Sequence, residues 1–298
     1  MSDSIRITCL VENTVRRQGC LGEHGLAYWI EAAAGRVLFD TGGGQTLAVN
    51  ARRLGIDVAQ ADAIVVSHGH YDHTGDLRFA FTQAQRAMLF LHPGATRARY
   101  SGRIAAAQPG LSTRDGDMAR GRAVGLASMS EPELRQAEPR VTWTSRPTEV
   151  LPNLFATGEI PRLTDYEDTG GALYLDADCR MADPIQDDQA LYMDTEGGIV
   201  VILGCAHAGI INTLTYVRQL SGGPIHAVIG GTHLLNASPQ RLSQTIAALR
   251  AMDLKLIAPA HCTGPRASAA LWTAFPDQIA DSCVGAQWTF KQPSEGQS

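Results

Sequence analysis

Residues 67–75 read Ser-His-Gly-His-Tyr-Asp-His-Thr-Gly, so His68, His70, Asp72 and His73 place four metal-binding side chains within six positions. The residues before them, Ala63-Ile64-Val65-Val66-Ser67, are apolar and β-branched and read as a buried strand. The cluster therefore stands where a strand runs out into a loop. Neutral imidazole binds zinc or iron through nitrogen, and carboxylate binds through oxygen. Three histidines and an aspartate this close are poor core and poor surface filler. The spacing predicts a metal-binding chain.

Length and composition narrow the partners. At 298 residues the chain can bury a large core, and 44% hydrophobic with 18% charged residues describes an ordinary globular protein. A net charge of −5 argues against nucleic acid, which needs a basic face. Arginines are frequent between Arg86 and Arg146, but acids and glycines interrupt them, as on a solvated face. No apolar run approaches a membrane span, and Met1-Ser2-Asp3-Ser4 does not open a secretory signal. Six scattered cysteines without a Cys-x-x-Cys pair read as reduced thiols, so the expected location is cytoplasmic.

Along the chain, Ile5–Val11 reads as a strand, Gly25–Ala32 and Arg36–Asp40 as a hairpin, and 46–55 as a helix. A helix over 76–87 and a strand over Met88–Leu91 follow the motif. Residues 94–148 lose apolar periodicity and read as a cap-like insertion with a strand at 141–144; residues 163–188 read as an acid-rich loop insertion. The second half alternates more regularly: a hairpin over 189–203, a helix opened by Gly204–Gly209 and running through Leu220, a helix over 239–252, and strands over 224–229 and 254–258. These strands end at His207, His233 and His261 or shortly before them. With no linker and no repeat, 1–298 is expected to form a single domain. Gly42-Gly43-Gly44 lacks a following Gly-Lys-Ser/Thr and reads as a tight turn, not a phosphate loop. No Gly-x-Ser-x-Gly nucleophile elbow is present.

Ser67-His68-Gly69-His70-Tyr71-Asp72-His73 resembles the signature of the metallo-β-lactamase-fold superfamily, and Asp40-Thr41-Gly42 resembles its upstream Asp-x-Gly element. With His207 and His261 the resemblance covers nearly the whole chain. Gly204–Ile210, Gly230–Leu234 and Pro259–Gly264 also look like the metal-dependent hydrolase branch named after a dihydropterin–ribofuranosylaminobenzene-phosphate synthase. The resemblance implies an α+β fold: an αββα sandwich of two mixed sheets with outer helices and a one- or two-metal site at the sheet edge. It implies His68, His70 and His207 as ligands of a first metal, His207 alternatively at the bridge, and Asp72, His73 and His261 as ligands of a second.

The cofactor expected is one or two divalent ions, zinc first, with iron or manganese as alternatives. Where the superfamily has a Gly-His pair and a Gly-Asp bridge, this chain has Gly158-Glu159 and Gly204-Cys205. Glu159 and Cys205 are both open as replacement ligands. Asp40 is expected to orient a ligand histidine. Asp72 is the expected catalytic residue, orienting water and taking its proton. His233 and Arg162 are the candidate substrate-binding residues, with His233 open between a buried structural role and an acid/base one. His24, His92 and His226 read as structural.

The activity expected is hydrolysis of a small anionic ester, lactone or phosphodiester by metal-activated water, the partner being a small molecule. An iron-dependent redox member of the same fold, a metal-binding sensor without turnover, and a nuclease are the alternatives.

Overall fold

The computed structural model describes residues 4–102, 120–126 and 128–293. Residues 103–119 and 127 of the expected insertion lie outside the described residues.

Period-two burial builds two sheets. In Ala27–Ala32, Tyr28 and Ile30 point to one face and Ala27 and Trp29 to the other; in Gly198–Leu203, Val200 and Ile202 oppose Val201 and Leu203. The first sheet runs, edge to edge, Gln287–Lys291, Ser4–Val11, Ala27–Ala32, Gly35–Phe39, Ala63–Val65, Met88–Leu91 and Val141–Trp143. The second runs Leu256–Ala260, Ile225–Gly231, Gly198–Leu203, Leu191–Thr195, Leu154–Ala156 and Thr148–Leu151. Each is antiparallel in one half and parallel in the other, where crossovers carry helices.

Three apolar cores separate four layers. Ile7, Tyr28 and Phe39 meet Met193, Val200 and Ile229 between the sheets. Leu38 and Ile64 pack outward on the helices Leu47–Leu54 and Leu77–Gln83. Val201 and Val228 pack outward on Ile210–Ser221, Pro239–Ala251 and Gly264–Ala274. The fold is an α+β sandwich in the order αββα.

Two local differences from the sequence reading matter for the site. The helix after the motif is shorter than 76–87, spanning Leu77–Gln83, because Ala84 leaves helical backbone angles. Leu173–Tyr174, from 163–188, pairs with Tyr100–Ser101, which pairs with Arg122–Ala123. The two irregular stretches thus knit into one small three-stranded roof, a pairing invisible to local periodicity because each strand has two residues. The roof is pinned to the motif by the Tyr71 N–H, which donates to Val124 O at 3.0 Å.

Parallel strands place loops at a common end, and ligands gather outside the carboxyl ends of such strands. Asp40, Ser67-His68, Cys205-His207, His233 and His261 all follow carboxyl ends of parallel strands. Asp40, Ala206, His233 and His261 hold left-handed backbone (φ 59°, 55°, 48° and 49°), a strain that non-glycine residues keep only where the surroundings enforce it. Gly69 is required by packing: a Cβ there would stand 2.0 Å from Ala95 O.

Candidate metal centre

One nest is formed by His68, His70 and His207, whose potential ligand atoms lie within 4.8 Å of one another. All three rings are buried. His207 Nδ1 lies 2.7 Å from Thr169 O; a carbonyl only accepts, so Nδ1 carries the proton and Nε2 keeps its lone pair. That Nε2 is buried with no hydrogen-bond partner among the described residues. His68 Nε2 faces His70 Nδ1 at 2.8 Å. Burial holds His70 down at about 3, and burial with neighbouring histidines holds His68 and His207 well below the usual range. These imidazoles are neutral at pH 7, the state that binds metal.

A second group centres on Asp72. Its Oδ2 is 3.2 Å from both His24 Nε2 and His261 Nε2. Burial pushes the Asp72 carboxyl up, but the two histidines together outweigh it and keep it ionised. His261 Nδ1 is fixed at 2.8 Å by Asn13 Oδ1, and Glu12 accepts the His261 backbone N–H at 2.7 Å.

Asp40 ties the two groups together. Its Oδ1 accepts the Ser67 N–H, and its Oδ2 accepts both the Ser67 hydroxyl and His73 Nδ1–H, each at 2.7 Å. With its proton given to Asp40, Ser67 Oγ accepts from His68 Nδ1 at 2.9 Å. One carboxylate thus fixes the orientation of two motif histidines and turns both Nε2 atoms inward. Burial lowers the His73 pKa, yet Asp40 overrides it and raises it to about 9.

Of the two open ligand positions, Cys205 lies at the cluster. Its sulfur is 3.1 Å from His73 Nε2 and groups with His68 and His73, between the two nests. Glu159 points to solvent and accepts from Gln186 Nε2, away from the cluster. A thiol therefore stands beside the His68 and His73 rings.

A family model described as the metallo-β-lactamase superfamily matches residues 21–98, which hold Asp40 and the whole His-x-His-x-Asp-His motif. Over those residues the chain matches that superfamily, and the rest of the fold resembles it. The chain is 28% identical over 277 residues to the 7,8-dihydropterin-6-methyl-4-(β-D-ribofuranosyl)-aminobenzene-5'-phosphate synthase of Methanocaldococcus jannaschii, covering 89% of this chain and 90% of the relative. An uncharacterized protein of the same organism is 28% identical over 263 residues, covering 88% of this chain and 91% of the relative. A solved structure described as a metal-dependent hydrolase of the β-lactamase superfamily superposes with a TM-score of 0.75 at 27% identity, covering 95% of this chain and 98% of the other.

His233 lines the cavity over these nests, 4.2 Å between ring centroids from His207, with Nδ1 buried and unpartnered. Arg162 does not line it. Its guanidinium donates to the carbonyls of His207 (2.6 Å) and Ile185 (3.3 Å), so it straps the His207 loop from outside the cavity. His24, read as structural, lies against Asp72 and lines the cavity. No metal-like spacing surrounds it; the close approach of Gly25 to Gly43 and Asp72 backbone brings it there. Asn13 was equally silent. His92 accepts the Gly94 N–H through Nδ1, and His226 packs edge-on against Phe290; both are structural.

Proposed function

We propose that this protein is a metal-dependent hydrolase acting on a small anionic ester, lactone or phosphodiester. The observation that carries the reading is the unpartnered, proton-free Nε2 of His207 turned toward His68 and His70 beside an ionised Asp72. The donors fit a divalent ion: His68, His70 and His207 would hold one, and Asp72, His73, Cys205 and His261 would hold a second. A nitrogen–sulfur–oxygen set of this kind suits zinc. Metal bound there supplies Lewis acidity, polarising the substrate and lowering the pKa of water.

The chain's own groups supply orientation and proton handling. Asp72, ionised at the cavity floor, accepts a hydrogen bond from the attacking water and aims it. His233 faces the same space and is placed to exchange a proton with the leaving group. Arg162 and Thr169 hold His207 in line.

The zinc-loaded protein is expected to hydrolyse bis(p-nitrophenyl) phosphate or p-nitrophenyl acetate, with activity lost on chelation and in Asp72→Ala. Purified protein that carries iron and consumes oxygen, or that turns over nothing in an ester, lactone and phosphodiester panel, would sink the reading.

Two substitutions probe the ligand set. Asp40→Asn removes the carboxylate that holds His73 Nδ1–H and the Ser67 hydroxyl, so both motif histidines lose their fixed orientation. Metal affinity should drop about 10–100-fold, read by competition with a chromophoric chelator. Cobalt-substituted wild-type protein should show a thiolate-to-cobalt charge-transfer band in the near ultraviolet, and Cys205→Ser should lose it. A band that survives in Cys205→Ser removes Cys205 from the ligands.

A further inference from the structure

We infer that Arg122 is the substrate's anion-binding residue, reading a phosphate or carboxylate at the cavity mouth while the reacting bond lies at the histidine floor. This rests on the hydrolase reading for the reaction, but its own evidence is separate. The cavity is about 430 Å³, the size of a small-molecule site. Its floor carries Asp72, His70 and His207, and Val124, Leu173 and Leu235 supply apolar wall. Among the described lining residues, Arg122 is the one Lys or Arg.

Three features fix this guanidinium without using up its donors. Its backbone belongs to the roof, paired with Ser101 in a strand register. The roof is bonded to the motif through Tyr71 N–H and Val124 O. The Arg122 guanidinium carbon lies 5.7 Å from the centroid of the Tyr71 ring, within cation–π reach. Tyr71 is itself the residue between His70 and Asp72, so the charge is mounted directly on the metal motif. Arg122 has no ion-pair or hydrogen-bond partner among the described residues. A stacked arginine with its fork open is pre-organised for bidentate contact with an oxyanion, which a lysine could not reproduce. The apolar walls between mouth and floor suit a substrate with a ring or short hydrocarbon body between its anion and its scissile bond.

The test is calorimetric titration of the zinc-loaded protein with phenyl phosphate, phenylacetate and neutral benzyl alcohol, comparing wild type, Arg122→Gln and Arg122→Lys at equal zinc content. Arg122→Gln should weaken one anion or both by about tenfold, Arg122→Lys should fall between, and benzyl alcohol should be unchanged. The larger loss on phenyl phosphate assigns a phosphate, and on phenylacetate a carboxylate. Equal anion binding by Arg122→Gln and wild type, or no binding of either anion by wild type, overturns the assignment. Because binding is read without turnover, a protein that binds these anions through Arg122 yet hydrolyses nothing would sink the hydrolase reading alone.

Discussion

His207→Ala is expected to strip the first metal and to lower hydrolytic activity by about 10³-fold or more, the scale of losing a principal charge-stabilising element. His207 supplies one of three inward nitrogens, its Nδ1 is committed to Thr169 O, and its Nε2 has no other partner. His233 lies 4.2 Å from that ring between centroids and does not group with the His68–His70 pair. Folding should survive, because the imidazole makes one hydrogen bond and the strand before it is anchored in the sheet. Zinc content by mass spectrometry, activity, and a thermal melt decide it together. Full zinc occupancy with a wild-type melt would remove His207 from the ligands.

The second large effect is on stability. Arg99 is buried among acids: Nε donates to Asp183 at 2.7 Å, Nη1 donates to Asp187 Oδ2 at 2.8 Å, Nη2 donates to Asp187 Oδ1, and Nη2 also reaches Gly94 O at 3.1 Å. Asp187 Oδ2 also accepts the Gly69 N–H at 2.8 Å, so this pair holds the His-x-His loop from behind. Asp187→Ala leaves a buried guanidinium short of a partner and should cost about 3–5 kcal/mol in urea unfolding. Replacing both partners together, Arg99→Met with Asp187→Leu, should recover much of that loss, since an apolar pair removes the unpaired charge.

Acid should act in the same direction as Asp187→Ala. Burial pushes the Asp187 carboxyl up, but Arg99 and the Gly69 N–H outweigh it and hold it below the usual range. Its stabilisation is therefore present above the ordinary aspartate pKa and lost as pH falls through the depressed one, on the acid side of about pH 4. An Asp187→Ala protein as stable as wild type at pH 7 would show that the pair is dispensable.

Neither Arg99 nor Asp187 announced itself in the sequence, and the reason is general. Both lie in stretches without apolar period, and they meet across 88 residues. The same blindness hid His24, Asn13 and the role of Arg162. Arg162 was placed near the site by its position after a strand, but only the fold shows that it donates to the carbonyls of His207 and Ile185 and does not line the cavity. Asp40, by contrast, was legible as an orienting carboxylate, because a residue at a strand end two positions before a glycine turn has few other places to point.

What the chain determines locally is the metal motif. His68, His70, Asp72 and His73 are bound to one strand end by spacing alone, and alternating burial in the flanking strands follows from period-two patterning. What only the tertiary structure decided is which distant residues complete the site. Cys205 lies beside His73 and Glu159 does not, because parallel strand Gly198–Leu203 delivers its carboxyl end there while Gly158-Glu159 turns outward. The roof over the cavity, with Arg122 above Tyr71, is likewise a product of pairing between two-residue strands far apart in the chain. Such contacts depend on where sheets and crossovers close, and no local periodicity encodes that.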